Sequence, residues 1–343
     1  MNIPNVAITT NQPPSNYNEL NDKILGSGEI IMNYLAIHLA KLGYQVDVLH
    51  RENFGVIKGV NYTNDHSKFY DIVIGECEPK TAFYVKAKKR YAHILSDNHW
   101  LPVDAKLFDK IDCIVLCGEF LYHHYTKSIE KARLALIWNG YDDNLCYADE
   151  SKRDKLSLCF SAATSPSSGL HIALQALNLI ARSDLTFHIY GTLALWHVDL
   201  KGNVFSPDDE YEKMLHNLIR QAKYDVVIHT VLPYHKMLPE YTKHSILIHP
   251  KTHETFGCSL IEAQAAGVVP VASNVNACLE RVKNGITGLN CQYENAESFA
   301  EGISMLLANT DLLKEMSNNC QAYAKDFTWE KIVQKWRNLI DAT

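Results

Sequence analysis

The sequence lacks long uninterrupted hydrophobic runs. No window approaches the roughly eighteen uncharged apolar residues that a membrane-spanning helix requires, although 47% of the 343 residues are hydrophobic. The first residues, MNIPNVAITTNQPP, contain neither a basic stretch nor an apolar stretch long enough for a signal peptide. We therefore expect a cytoplasmic protein whose apolar residues form globular cores.

A strong charge of either sign is also missing. The formal net charge is −6, which gives no overall attraction to a polyanion, so we expect no nucleic-acid partner. The nine cysteines are odd in number and lack metal-like spacing, which favours a reducing compartment over a disulfide framework. There is no Asp-x-Asp motif, and the pair His123 and His124 lacks the further ligands of a zinc site. We expect neither a metal nor another cofactor.

What the sequence does contain is a regular alternation of short apolar runs and amphipathic stretches, which predicts parallel strands joined by crossover helices. The fold class is therefore α/β, and the length favours two domains of about 150 to 180 residues. Strands are predicted at 6–9, 45–50, 71–75, 92–96, 112–117, 134–138, 157–161, 186–190, 226–229, 246–249 and 269–272. Helices are predicted at 29–42, 170–181, 211–219, 259–266 and after Thr328.

A charged, apolar-free run at 148–155, ADESKRDK, suits a linker between the domains. We place an N-terminal domain at 1–150 and a C-terminal domain at 151–326. Ligands of open α/β sheets bind at the carboxyl ends of the strands. Two such domains facing each other would hold the active site in the cleft between them.

The most informative segment is 249–272, HPKTHETFGCSLIEAQAAGVVPVA. Seven residues separate Glu254 from Glu262, and Gly257 lies between them where a predicted helix begins. Backbone N–H groups at a helix N-terminus favour an anion, and carboxylates accept hydrogen bonds from sugar hydroxyls. A phosphate flanked by two polyols, as in a nucleotide sugar, would fit this spacing.

The two glutamates resemble the E-x7-E motif of retaining glycosyltransferases with the GT-B fold, specifically glycosyltransferase family 4 (the "glycosyl transferases group 1" type). The resemblance extends along nearly the whole chain. The other similar segments are GSGE at 26–29, WNGYD at 138–142, GVVPVAS at 267–273, ERVKNGITGL at 280–289 and FTW at 327–329.

This resemblance implies two Rossmann-like domains, an acceptor-binding one and a nucleotide-sugar-binding one, with a C-terminal helix at 327–343 that crosses back to the first. It also implies a metal-independent hexosyltransferase that retains configuration, with the leaving phosphate accepting the acceptor's proton. The donor would be a nucleotide sugar, and the acceptor a glycan, a lipid-linked molecule or a small-molecule glycoside. The domains would close about a hinge near Asn139, which also lies at the donor site.

By the same resemblance, Glu262 would hold the ribose hydroxyls of the nucleotide, and Glu254 would bind the hydroxyls of the donor sugar. The backbone at Phe256, Gly257 and Cys258 would approach the sugar and the phosphate. Without the flanking segments, the two glutamates would be read as an ordinary loop acid and an ordinary helix-surface acid.

In the first domain, His99 follows a predicted strand and matches a family histidine near the donor sugar better than His93 does. Gly28 would let the backbone approach the donor phosphate or the acceptor. Each has a plainer alternative, since a histidine at this place can be structural and a glycine before a helix can simply form a turn. Asp97 and Glu76 lie near strand ends and are further acids without an assigned role.

One segment departs from the family. An arginine and a lysine usually neutralise the donor diphosphate, but this sequence has Ala163 and Ser168 at those positions. Ser168 could still offer a hydroxyl, and Lys251 and Arg281 are the nearest candidates for a replacement cation. The missing pair leaves two alternatives open: a GT-B enzyme of another reaction type, such as an epimerase or phosphorylase, or a weakly active sugar- or nucleotide-binding homologue.

A basic run, KAKKR, extends from Lys86 to Arg90. It could contact anionic lipid at a membrane surface. Five residues of this kind near a helix end can equally form an ordinary solvated face.

Overall fold

The computed structural model describes residues 3–10, 18, 25–49, 52–96, 108–144, 153–191, 209–229 and 232–342. The chain forms two compact units. The first comprises Met1–Asp142 together with Asp326–Thr343, and the second comprises Asp143–Lys325. Both are α/β units with parallel sheets, as the alternating pattern predicts.

The first unit is built on an eight-stranded sheet with the order β3-β4-β2-β1-β5-β6-β7-β8. All neighbours are parallel except the β3–β4 hairpin. The strands are β1 (Asn5–Thr10), β2 (Gln45–Leu49), β3 (Gly55–Ile57), β4 (Val60–Thr63), β5 (Phe69–Glu76), β6 (Lys86–Ile94), β7 (Cys113–Leu116) and β8 (Leu134–Leu136). The helices are α1 (Ser27–Lys41), α2 (Glu119–Tyr125) and, at the end of the chain, α10 (Trp329–Asp341).

The last helix, α10, packs against α1 within the first unit. Trp329 is buried and stacks on Tyr34 and His38 of α1, with ring centroids 6.1 and 5.8 Å apart. A β-carbon at Gly140 would lie 2.5 Å from the Trp329 ring, so only glycine fits there. The predicted return of the C-terminal helix to the first domain is confirmed.

The basic run at 86–90 follows a short 3-10 helix at Pro79–Phe83 and forms the first half of β6. Lys86 and Lys88 are exposed, whereas Ala87 between them is buried. Lys88 forms an ion pair with Asp71 on β5. Successive side chains of a strand point to opposite faces of the sheet. Lys86 and Lys88 therefore point away from the core, whereas Ala87 points toward it.

The second unit has a six-stranded, fully parallel sheet with the order β11-β10-β9-β12-β13-β14. Its strands are β9 (Ser157–Ser161), β10 (Thr186–Tyr190), β11 (Asp225–His229), β12 (Ile246–His249), β13 (Val269–Ser273) and β14 (Leu289–Cys291). Its helices are α3 (Leu170–Ile180), α4 (Asp209–Arg220), α5 (Tyr234–Tyr241), α6 (Cys258–Ala265), α7 (Asn276–Arg281), α8 (Ala296–Ala308) and α9 (Thr310–Ala324).

A single apolar core joins the second unit's sheet to its helices. Leu158 and Phe160 of β9 are buried together with Leu174 of α3 and Phe299 of α8. The predicted strands at 157–161, 186–190 and 246–249 have the observed bounds. The predictions missed β14 and helices α5, α7, α8 and α9, as well as the short hairpin and α2 of the first unit.

The eight cysteines that the structure describes are all free thiols. Among the helices in the described ranges, none combines the length and the apolar character needed to cross a membrane.

Three histidines pack together beside the strands of the second unit. His188 on β10 and His229 on β11 approach to 2.8 Å between Nδ1 and Nε2, and the His244 ring lies 4.8 Å from that of His188. Ser157 and Tyr190 engage the two ring nitrogens of His244. Burial lowers the pKa of each histidine, that of His244 to about 3. Neutral imidazoles are therefore built into this unit.

We expect the second unit to lose stability as the pH falls from 7 to 5. Unfolded histidines bind protons at about pH 6.5, while the folded ones resist protonation, so the stabilisation is complete above that pH and is lost below it. The expected slope is up to about 1.4 kcal/mol per pH unit for each histidine. Urea denaturation at pH 7, 6 and 5 measures it, and His244→Gln should flatten the profile. Identical profiles for the variant and the original protein would contradict this account.

Candidate active site

Glu254 lies in the loop that follows the carboxyl end of β12. Its Oε2 accepts a hydrogen bond from Lys251 Nζ at 2.7 Å and lies 3.3 Å from Nε2 of the buried His249. Its Oε1 accepts from the Thr255 backbone N–H at 3.1 Å. Burial by itself raises the pKa of Glu254, but Lys251 and His249 more than offset this and hold the pKa well below its usual value. Glu254 is thus a largely enclosed, ionised carboxylate.

The turn into α6 begins at Phe256 and Gly257. Gly257 has φ +86°, and a β-carbon there would lie 2.9 Å from Leu260 Cδ1, so a glycine is required. Cys258 then starts the helix. The helix dipole directs partial positive charge toward this turn, which suits an anionic ligand.

Glu262 lies one turn further along α6. Burial raises the pKa of its carboxyl group to about 7, although its side chain is partly accessible. The carboxyl can therefore be ionised or protonated near neutral pH. The pKa values of the two glutamates therefore shift in opposite directions: that of Glu254 is lowered, whereas that of Glu262 is raised.

A serine-rich turn lies beside the Glu254 loop. The Ser168 hydroxyl is buried and lies 2.9 Å from Ser165 Oγ. A β-carbon at Gly169, which has φ +75°, would lie 2.0 Å from the Pro250 carbonyl oxygen, and the Thr252 N–H donates to Ser167 O at 3.0 Å. The backbone of this turn therefore packs directly against residues 250–252. This contact brings the predicted Ser168 and Glu254 segments together.

The two candidates for a replacement cation are in different environments. Arg281 is 1% exposed; its Nε donates to Phe256 O at 3.2 Å, and its guanidinium lies 4.6 Å from the Phe256 ring centroid. Another of its nitrogens pairs with Glu280 at 3.0 Å. Arg281 thus stabilises the turn before α6 through its contacts with Phe256. Lys251 instead reaches Glu254 directly, so it is the cation of the site.

The predicted residues of the first unit do not form a comparable cluster. Gly28 lies in the first turn of α1, where a β-carbon would approach Cys77 Sγ to 3.0 Å, so close packing alone accounts for a glycine. Asn139 is 2% exposed, and its Oδ1 has no hydrogen-bond partner among the residues that the structure describes. His99 and Asp97 lie outside the described residues.

Sequence reasoning missed a buried pair in the first unit. His93 and Glu76 face each other on paired strands, with Nδ1 2.9 Å from Oε1, and both are 1% exposed. His93 also packs edge-on against Trp336 of α10. The only sequence signal was that each residue lies near a strand end. Their burial beneath α10 indicates a role in holding that helix.

No group of three or more histidine, cysteine or acidic side chains with metal-binding geometry occurs among the described residues. His253, in the loop before Glu254, contacts Asn276 through Nδ1.

Similarity to known proteins covers both units. Residues 148–326, a little over half of the chain, match the family profile described as "Glycosyl transferases group 1". An uncharacterized glycosyltransferase of Methanocaldococcus jannaschii is 24% identical across 68% of this chain and 59% of its own length. An uncharacterized protein in the cps region of Klebsiella pneumoniae is 23% identical across 69% of this chain and 66% of its own length. The matched part thus spans less than two thirds of either relative.

Solved structures show the same architecture. Sucrose-phosphate synthase of Thermosynechococcus elongatus superposes with a TM-score of 0.74 and 16% identity, covering 100% of each chain. HepE of Anabaena, solved with UDP and glucose, gives 0.73 and 16% identity, covering 98% of this chain and 100% of HepE. At this identity the likeness concerns the fold, which is the GT-B fold.

We expect Lys251→Met to destabilise the second unit by about 3 kcal/mol, because it leaves the Glu254 carboxylate buried without its cation. The double variant Lys251→Met with Glu254→Gln should recover most of this loss, since no unpaired charge remains. Urea denaturation of the single and double variants measures the coupling. Losses that simply add would show that the two side chains are energetically independent.

Proposed function

Because the chain belongs to the group 1 glycosyltransferase family, we propose that it transfers a sugar from a nucleotide sugar to an acceptor hydroxyl with retention of configuration. The observation that carries the proposal is the grouping of Glu254, Lys251 and Glu262 around the N-terminus of α6. This grouping combines acceptors for sugar hydroxyls, a cation and a helix dipole within one loop and one helix.

In the proposed donor complex, Glu262 accepts hydrogen bonds from the ribose hydroxyls. Its carboxyl is partly accessible and one turn into α6, which suits contact with a ligand lying along the helix N-terminus. Glu254 accepts from hydroxyls of the transferred sugar. The backbone from Phe256 to Cys258 approaches the phosphate, because Gly257 has no side chain and adopts a positive φ that favours glycine.

Transfer breaks the bond between the anomeric carbon and the phosphate oxygen and forms a bond to the acceptor oxygen. The acceptor's proton passes to the leaving phosphate, so no enzymatic nucleophile is needed. Negative charge grows on that phosphate, and a fixed cation nearby stabilises the transition state. We assign this role to Lys251, whose ammonium is 2.7 Å from Glu254. It would fill the role of the absent arginine and lysine without a metal.

The acceptor side of the proposal rests on the first unit. Gly28 remains a predicted contact with the donor phosphate or the acceptor, whereas His99 and Asn139 remain predicted contacts of the donor. A glycan, a lipid-linked molecule and a small-molecule glycoside all remain acceptors of the proposal. Contact with anionic lipid through Lys86 and Lys88 is a further proposal, supported by their exposure.

Titration calorimetry with UDP, GDP and ADP, and with their nucleosides and monophosphates, tests the donor assignment. We expect the compounds of one base to bind. The Glu262→Ala variant should bind the corresponding nucleoside at least about tenfold more weakly, which is a loss of about 1.4 kcal/mol of binding free energy. Because the pKa of Glu262 is about 7, its ionised form gains prevalence from pH 6 to pH 8, and nucleoside affinity should rise with it. Glu254→Gln should lower turnover and leave nucleoside affinity unchanged.

Wild-type protein that binds none of these nucleotides would refute the nucleotide-sugar donor. A pH profile that Glu262→Gln leaves unchanged would remove the ribose assignment alone. Donor turnover that yields no glycoside of any acceptor would favour an epimerase or phosphorylase.

The role of Lys251 has its own test. We expect Lys251→Gln to reduce the preference for a nucleoside diphosphate over its nucleoside by about tenfold, because one charge contact with the phosphate is lost. Introducing lysine through Ser168→Lys in the Lys251→Gln background should restore part of this preference, since the serine turn packs against the Lys251 loop. The matched control Lys223→Gln, an exposed lysine elsewhere in the unit, should have no effect. Equal preferences in Lys251→Gln and wild-type protein would contradict the assignment.

A further inference from the structure

A second polar cavity lies at the opposite edge of the second-unit sheet. Its volume is about 330 Å³, which is within the range of small-molecule sites. Lys155 and Ser245 line it just before β9 and β12 begin, whereas Glu254 follows the carboxyl end of β12. Thr310, Asp311 and Lys314 from the start of α9 close the other side. The cavity therefore belongs to a different part of the unit from the candidate active site.

The lining is rich in positive charge. Among the described residues it includes Lys155, Lys314 and Arg153, and one acid, Asp311. In the ranges covered by the structure, neither lysine forms an ion pair, whereas Lys243 pairs with Glu240 at 2.6 Å. Two lysines without carboxylate partners at one cavity create an excess of positive potential, which favours a compact anion such as a phosphate group.

The remaining polar atoms of the lining are mostly acceptors. The Ser245 hydroxyl already donates its hydrogen to the Lys155 carbonyl at 2.8 Å, and the Ser317 hydroxyl donates to the Gly267 carbonyl at 2.6 Å. Their oxygens have little left to donate. The Ser245 oxygen and the Asp311 carboxylate can accept hydrogen bonds from a ligand, and the Ser317 oxygen, which already accepts from Arg153 at 2.6 Å, retains one lone pair. Hydroxyl groups of a ligand satisfy such acceptors.

Cations for a phosphate and acceptors for hydroxyls occur side by side, in a space too large for phosphate alone. We propose that this cavity binds a small phosphorylated polyol, with its phosphate on Lys155 and Lys314 and its hydroxyls on Asp311, Ser245 and Ser317. The proposal is independent of the donor site.

Arg153 forms the rigid wall of the site. Its guanidinium donates to the carbonyls of Ala266 and Gly267 at the end of α6 and to Ser317 Oγ. Replacing it would leave these buried carbonyls unsatisfied and endanger the fold. The test therefore uses the two exposed lysines and leaves Arg153 intact.

Titration calorimetry in phosphate-free buffer at constant ionic strength, with glycerol 3-phosphate, inorganic phosphate and glycerol as probes, tests the site. Glycerol 3-phosphate should bind more tightly than inorganic phosphate, and glycerol should not bind measurably. The double variant Lys155→Gln, Lys314→Gln should bind glycerol 3-phosphate at least about tenfold more weakly, while the control Lys223→Gln keeps wild-type affinity. Asp311→Asn should reduce the difference in affinity between glycerol 3-phosphate and inorganic phosphate.

Glu262→Ala should retain glycerol 3-phosphate binding, which separates this site from the donor site. Three results would overturn the proposal: no binding of glycerol 3-phosphate by wild-type protein, unchanged affinity in the double lysine variant, or loss of binding in Glu262→Ala. None of them bears on nucleotide binding, which is measured separately.

Discussion

Adjacency of β9 and β12 governs the arrangement of the second unit's candidate active site. These strands are far apart in sequence but are parallel neighbours in the sheet. Successive strands are added outward in opposite directions from them, β10 and β11 beside β9, and β13 and β14 beside β12. Such a switch point separates the loops that follow the two strands and opens a crevice for ligands. Here the Gly169–Pro250 contact joins these loops at their base, so the serine turn and the Glu254 loop face one ligand position.

Lys251 is the cation that contacts Glu254 in this loop. Lys251 and the nearby His249 keep Glu254 ionised. Arg281, the other cation that the sequence suggests for this site, instead donates hydrogen bonds to Phe256 and Glu280. A buried arginine must satisfy several donors in fixed directions, so it stabilises the backbone around it. A lysine on a flexible stem can serve a neighbour and a ligand at the same ammonium. In the Glu254 loop, Lys251 is such an adaptable cation.

The two edges of the second-unit sheet have contrasting polar chemistry. At the carboxyl edge, acids and a helix N-terminus surround one lysine. At the amino edge, two lysines that form no ion pair within the described residues line the same cavity as the buried hydroxyls of Ser245 and Ser317, whose hydrogens are already donated. Helix α6 separates the two, with Gly257 at its start and the Arg153-bound carbonyls of Ala266 and Gly267 at its end. The helix is short, spanning Cys258–Ala265, and glycine geometry at its start and the hydrogen bonds from Arg153 at its end stabilise it.

The sequence by itself determined the α/β class, most of the long strands, the E-x7-E pair and the return of the last helix, because these follow from local periodicity and short motifs. It could not reveal the β3–β4 hairpin, whose strands are too short to show a period, or the strand character of the basic run at Lys86, where burial of Ala87 depends on neighbours. Tertiary structure alone decided that Lys251, not Arg281, faces Glu254, that His93 pairs with Glu76, and that Lys155 and Lys314 line one cavity. The last two depend on residues that are distant in the chain and come together only in the folded units. The first depends on the conformation of one loop and on the contacts that hold Arg281 against Phe256 and Glu280.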